Sequence, residues 1–264
     1  MGAAPPFSWT TGSIHPEVVL ACGVVAAAWA WAWHARGTRP RPGQAVRFAG
    51  GLLALLLALD GPLHDLSDWY LFSAHMVQHL VLTLVVPPLL LTGVPGFMLD
   101  ALLRPCLARR VPGAVVRTLT RPLPAFTAYA VAVVGWHLPG PYNAALEIHG
   151  WHVVEHLALL GAAILGWWPI VSPSRLAPPL PYAAQLLYLF VFGMPMTVVA
   201  AMITGAERVL YPFYEAAPRI VDLTPLADQR LGGVIMWVPS GLIPLAAFTI
   251  VFFRWVAAEA DEPA

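Results

Sequence analysis

The sequence predicts an all-α fold, a polytopic membrane bundle of seven transmembrane helices, and three observations carry that expectation. Hydrophobic residues make up 59% of the 264 and charged residues only 11%, the composition of a chain whose solvent is largely lipid. The apolar residues fall in seven runs, 17–34, 46–63, 74–97, 123–139, 152–171, 182–203 and 231–256, each close to the ~20 residues that cross a bilayer as a helix. The chain has no lysine, and its arginines gather in alternate connections between those runs.

The first run follows "MGAAPPFSW", which has neither a basic start nor a small-residue cleavage site, so this helix is expected to stay in place. The second is the weakest, opened by Arg47 and closed near Asp60. Arg36, Arg39, Arg41 and Arg47 lie before it, and Arg104, Arg109, Arg110, Arg117 and Arg121 connect the third and fourth runs. Cytoplasmic loops retain positive charge, so these connections are expected inside, together with Arg175 and Arg254. The opposite side holds Arg208, Arg219 and Arg230 among acids. The N-terminus is then outside, the C-terminus cytoplasmic, and residues 1–264 form a single integral membrane domain with membrane lipids as partners.

Prolines inside the runs, at Pro87, Pro88, Pro195, Pro239 and Pro244, are expected to kink helices and to free carbonyls that protein or water must satisfy. The connection 204–230 is the one long outer loop, placed as a lid or docking surface. Trp69, Trp136, Trp151 and Trp237 fall near the outer boundary, where aromatic residues anchor helices. A net charge of zero gives no support to a nucleic-acid partner. Cys22 and Cys106 lack paired spacing, which excludes a CxxC metal or redox motif.

The chemistry is concentrated in histidine. On this topology His64, His75, His79, His137, His149, His152 and His156 all fall at the outer ends of helices, and His34 alone falls inside. Histidine in a membrane costs free energy unless it meets a partner or a watery cavity, so four helices bringing histidine to one level point to a shared site. "SAHMVQHL" and "WHVVEHL" each place two histidines one turn apart, His75 with His79 and His152 with His156. Each pair projects from one helix face, and neutral imidazole is the commonest side-chain metal ligand. Glu155 shares the face of His152, and Asp60 precedes His64 by four residues, so both carboxylates are candidates to orient imidazole rings. Met236 in the seventh run and Met202 in the sixth offer thioethers suited to Cu(I), although methionine in a membrane core also simply packs. His15 and His149 read as loop residues.

The succession "SAHMVQHL", "PPLLLTGVP", "GWHLPGPYNAAL", "WHVVEHL", "GWWPI", "RVLYPFY" and "LADQRLGGVIMWVP" resembles the multi-span CtaG family of bacterial cytochrome c oxidase assembly factors over about residues 60–245. That resemblance implies a non-enzymatic protein of the bacterial cytoplasmic membrane that helps mature a haem-copper oxidase by handling copper, as Cu(I), on the outer side. Family motif residues correspond to His75, His79, His137, His152 and His156, and to Asp228 and Gln229. Its partners would be oxidase subunits or a periplasmic copper carrier. Two other classes fit parts of the pattern: a membrane-embedded zinc hydrolase acting on a lipid amide, in which zinc activates water near Ser73, and a b-type haem protein with axial histidines.

Overall fold

The structure, a computed structural model, describes residues 7–10 and 12–261, and every regular element among them is helical. In chain order these are α1 Pro16–Ala35, α2 Pro42–Leu59, α3 Pro62–Trp69, α4 Phe72–Leu80, a π-helical turn Val81–Val85, α5 Val86–Gly93, α6 Gly96–Leu107, α7 Arg110–Leu119, α8 Pro122–Trp136, α9 Pro139–Glu147, α10 His149–Val171, α11 Tyr182–Phe192, α12 Met194–Gly205, α13 Pro212–Ala216 and α14 Pro225–Ala260. Proline opens many of them, as its fixed φ and missing N–H suit the first helical position.

Among the described residues, six segments are long and apolar enough to cross a membrane: α1, α2, α4 through α5, α10, α11 with α12, and α14. The fourth sequence run corresponds to α8, which is apolar but only 15 residues long. Bounds differ from the sequence expectation most clearly at two places. The second run stops at Leu59, because Gly61 takes φ 76°, a left-handed conformation that glycine adopts freely. The chain restarts there as α3, so His64 leaves the second span. The last helix begins at Pro225, inside the expected loop, where the Thr224 hydroxyl accepts a hydrogen bond from the Ala227 N–H.

The centre of the bundle is α4 through α5, buried over 61% of its most apolar stretch, whereas α1 is buried over 6% of its own. Gly232 and Gly233 let α14 approach both α4 and α12: a methyl group at Gly232 would collide with Phe72 and crowd Met76, and one at Gly233 would press on the Thr204 backbone. Small residues at such crossings allow the close backbone approach that drives helix association in lipid. The proline expectation is met in detail at Pro87. Without an N–H it leaves the Thr83 carbonyl unbonded within the helix, and the Trp167 indole donates to that carbonyl at 3.0 Å.

The two ends of the bundle differ chemically. At one end Arg36 lies over Phe97 at 4.3 Å, and the Asp100 carboxylate accepts from Ser174 Oγ at 2.6 Å and from the Arg175 N–H at 3.0 Å. The Ser174 bond, with help from backbone N–H groups, lowers the Asp100 pKa below the usual carboxylate range. At the other end the starts of α4 and α10 meet α3, α9, α13 and the end of α8, and the histidines collect there.

Candidate metal centre

Each histidine is placed by an element with its own anchor. The N-cap of α4 is Leu71, which supplies no capping side chain. Asp228 of α14 caps it across the bundle, accepting from the Phe72 N–H at 2.8 Å and the Ser73 N–H at 3.2 Å, and so fixes the turn that carries His75. Gln229 holds the connection above the site, accepting from the Leu210 N–H at 2.6 Å and donating to the Arg208 carbonyl at 3.2 Å. On α10, the buried stripe His152, Glu155, His156, Leu159 and Ala163 follows the spacing of one helix face and lies against the span that runs from α4 through the π-helical turn to α5, its histidines meeting His75 and His79.

His75, His152, Glu155 and His156 come together so that one ligand atom from each lies within 4.8 Å of the others. His79 adjoins this group: its Nε2 is 2.8 Å from His75 Nε2 and 3.8 Å from Glu155 Oε1, while His75 Nε2 is 3.8 Å from Glu155 Oε2. His137, at the end of α8, places Nε2 3.3 Å from His79 Nδ1. The site is sealed, with His75, His79, His137 and Glu155 exposed by 1% or less and His152 by 2%.

The hydrogen bonds dictate where the lone pairs point. His137 Nδ1 faces the Val133 carbonyl at 2.7 Å; a carbonyl only accepts, so that nitrogen carries a proton and His137 Nε2 is the acceptor. His79 Nδ1 must then donate to it, which leaves His79 Nε2 bare. From the other side, the Tyr214 hydroxyl donates to the Ser67 carbonyl at 2.5 Å. His75 Nδ1, 2.8 Å from the same hydroxyl, must donate to it, so His75 Nε2 is bare too. Two neutral rings therefore aim lone pairs at each other across 2.8 Å, an arrangement that requires a cation, whether proton or metal. Beside them both Glu155 oxygens, His152 Nε2 and His156 Nε2 are buried without a hydrogen-bond partner. Such groups cost free energy unless something binds them, and three imidazoles with one carboxylate form a donor set that suits copper or zinc.

A second tier surrounds this one. Gln78 Nε2 donates to the Ala58 carbonyl at 2.8 Å and to His64 Nδ1 at 3.0 Å, so the His64 proton sits on Nε2, 3.3 Å from Asp68 Oδ2. The same Asp68 oxygen lies 3.4 Å from His152 Nδ1, which turns His152 Nε2 toward Glu155 and His75, as a carboxylate does behind a metal-bound imidazole. Burial drives His64 down to about 3 and Asp68 up to about 8. Both are neutral at pH 7, and a cation nearby would restore the carboxylate charge. Burial likewise raises the Tyr211 and Tyr214 phenols above their ordinary range, so they act as neutral hydrogen-bonding groups.

The structure corrects some roles expected from sequence. Asp60 does not reach His64; it accepts from the His15 N–H at 2.5 Å and lies 3.4 Å from the His15 ring, because the break at Gly61 removes the helical register. Asp68 takes the place expected of Asp60, legible in hindsight as His64 and Asp68 at i, i+4. Glu155 stands among the candidate ligands rather than behind them. Met202 is 43% exposed on the bundle surface, whereas Met236 is buried in the apolar core with Met76 and Leu80. His15, read as a loop residue, packs edge-on against His64 with ring centres 4.4 Å apart. Tyr142 and Tyr214 carried no sequence signal as site residues, since they arrive from α9 and α13.

The sequence profile of the cytochrome c oxidase caa3 assembly factors, Caa3_CtaG, matches residues 25–258. The chain belongs to the Caa3_CtaG family. Helices α4 and α10, the His75/His79 and His152/His156 pairs and the Asp228-Gln229 anchor all lie within the matched region of this family. The chain is also similar to uncharacterized proteins of Mycobacterium bovis and Mycobacterium tuberculosis, each 26% identical over 251 residues, covering 90% of this chain and 37% of the relative. A Mycobacterium leprae protein is 23% identical over 262 residues, 94% of this chain and 39% of that one. The chain thus spans less than half the length of the curated relatives it matches. No solved structure matches it significantly.

Proposed function

We propose that this membrane protein serves oxidase assembly by holding a copper ion, as Cu(I), in the cluster of His75, His152, Glu155 and His156 with His79 adjoining, and releasing it to a haem-copper oxidase. The observation that carries the reading is the pair of bare nitrogens on His75 and His79 facing each other beside an unpartnered Glu155. Copper is the metal chosen because the family assembles cytochrome c oxidase, whose chemistry depends on copper, and the donor set accepts it. The ion is cargo, bound and released without turnover, so the role is not enzymatic. Histidine ligands suit delivery, since protonation releases metal from imidazole more readily than from thiolate. His137, His64 and Asp68 orient rings, Asp228 and Gln229 position α4 and the covering connection, and Met236 holds Cu(I) during transfer.

The arginine-rich connections support a topology in which the metal end of the bundle faces the outside of the bacterial cytoplasmic membrane. An oxidase subunit or a periplasmic copper carrier would meet the outer surface of residues 206–224, where Ile220 and Val221 are 38% and 41% exposed. The test is elemental analysis of detergent-purified protein after anaerobic exposure to limiting Cu(I), beside the double variant His75→Ala/His79→Ala. Stoichiometric copper in the parent and its loss in a folded variant are expected; copper in neither ends the reading.

One observation favours a second reading, the zinc hydrolase: His64, His152 and His156 form part of the wall of a largely aliphatic cavity of about 470 Å³ between α1, α2 and α10. Tightly held zinc with release of fatty acid from a lipid amide would establish it in place of copper delivery.

A further inference from the structure

The candidate cluster is sealed on most sides, and this raises the question of how an ion reaches it. Above it lie Tyr211, whose hydroxyl donates to the His137 carbonyl at 2.8 Å, and Tyr214, bound to the Ser67 carbonyl. Their rings close with Phe72 and Tyr142 into one aromatic layer, Phe72 stacked on Tyr211 at 4.9 Å and Tyr142 tilted against Tyr211 at 4.2 Å. The least sealed histidines of the group are His64 and His156, each 8% exposed. Both lie on the wall of the 470 Å³ cavity between α1, α2 and α10, whose polar end is formed by His15, Glu17 and His149.

From that end the imidazoles run inward without a gap. Ring centres are 4.4 Å apart for His15 and His64, 5.7 Å for His64 and His152, 5.7 Å for His152 and His75, 4.3 Å for His75 and His79, and 5.2 Å for His79 and His137. Each step is short enough for a cation to bind the next ring before leaving the last. The flank is also the one least covered by protein, since α1 is buried over only 6% of its apolar stretch, the lowest share among the six spans.

We propose that the cation reaches the buried cluster sideways, through the polar end of the cavity between α1 and α10, and not through the aromatic cover, passed by ligand exchange from His15 and from His64, whose Nδ1 gives up its hydrogen bond from Gln78 to take the ion, to His152 and His156. The proposal rests on the copper-binding reading above. No redox step is involved: the ion keeps its charge, and imidazole nitrogens replace one another around it. His15 and His149 thereby gain a role at the entrance, and the aliphatic remainder of the cavity faces lipid.

The experiment follows Cu(I) transfer, under anaerobic conditions, from its bicinchoninate complex to the full-length protein in detergent, reading rate and final stoichiometry separately. Ala21→Trp and Leu52→Trp fill the cavity from opposite walls, and His15→Ala removes its first ring. Each is expected to slow loading by about tenfold or more and to leave the final copper content at the parent value; two independent fillings cover the case in which one perturbs folding. Loading by the folded variants as fast as the parent overturns the lateral route and leaves the metal site standing. A parent that takes up no Cu(I) overturns the route together with the reading beneath it.

Discussion

The two HxxxH pairs have the same sequence spacing and opposite surroundings. On α4, both Nδ1 atoms are tied, that of His75 to Tyr214 and that of His79 to His137, so that the two bare Nε2 atoms are held facing each other at 2.8 Å. On α10, His152 and His156 each keep a buried Nε2 without a partner, as does Glu155 at both oxygens. The first pair is a preset clamp whose geometry is fixed by second contacts, and the second pair is the half that a ligand must complete. Equal spacing fixes only that two rings share a helix face; what they do depends on what the neighbouring helices bring to the other nitrogen.

That contrast breaks most severely if the incomplete half is emptied. The double variant His152→Ala/His156→Ala, or Glu155→Ala alone, is expected to weaken Cu(I) binding by about a hundredfold or more, measured by competition with a chelator. If binding survives, the α10 pair is packing and the comparison fails. A finer test is Asp68→Asn, which removes the carboxylate behind His152. Loss of such an outer partner typically costs about 10–100-fold in metal affinity, and an unchanged affinity would show that Asp68 does not orient the ring.

The clamp is sharpened by Tyr214→Phe, which takes away the oxygen that His75 Nδ1 contacts. Affinity should fall by about tenfold with the final copper content retained. Asp228→Ala leaves the first N–H groups of α4 without their buried acceptor, a loss of about 2–4 kcal/mol that thermal unfolding in detergent would register as a lowered midpoint. The smallest effect belongs to the other end of the bundle: Asp100→Ala should cost about 1 kcal/mol or less and leave copper binding unchanged, since its partners Ser174 and Arg175 lie far along the helices from the histidines.

Much of this arrangement was legible in residues 73–80 and 151–157, because i, i+4 spacing survives folding within a helix. Glu155 was visible for the same reason, and Asp228 and Gln229 through the family resemblance. Asp60 misled because a left-handed glycine at position 61 breaks the register on which spacing depends. Tyr214 was hidden because it meets His75 across 139 residues, a contact that only the packing of α13 over α4 creates. His15 was hidden in the same way, brought to His64 by a connection bound to Asp60 and Asp65.

The central claim, a site built of imidazole and carboxylate, is tested most directly by X-ray absorption spectroscopy at the copper edge on the Cu(I)-loaded protein. A shell of nitrogen and oxygen neighbours with the outer scattering of several imidazole rings is the predicted result. A shell dominated by sulfur, which Met236 or a cysteine would supply, would contradict it.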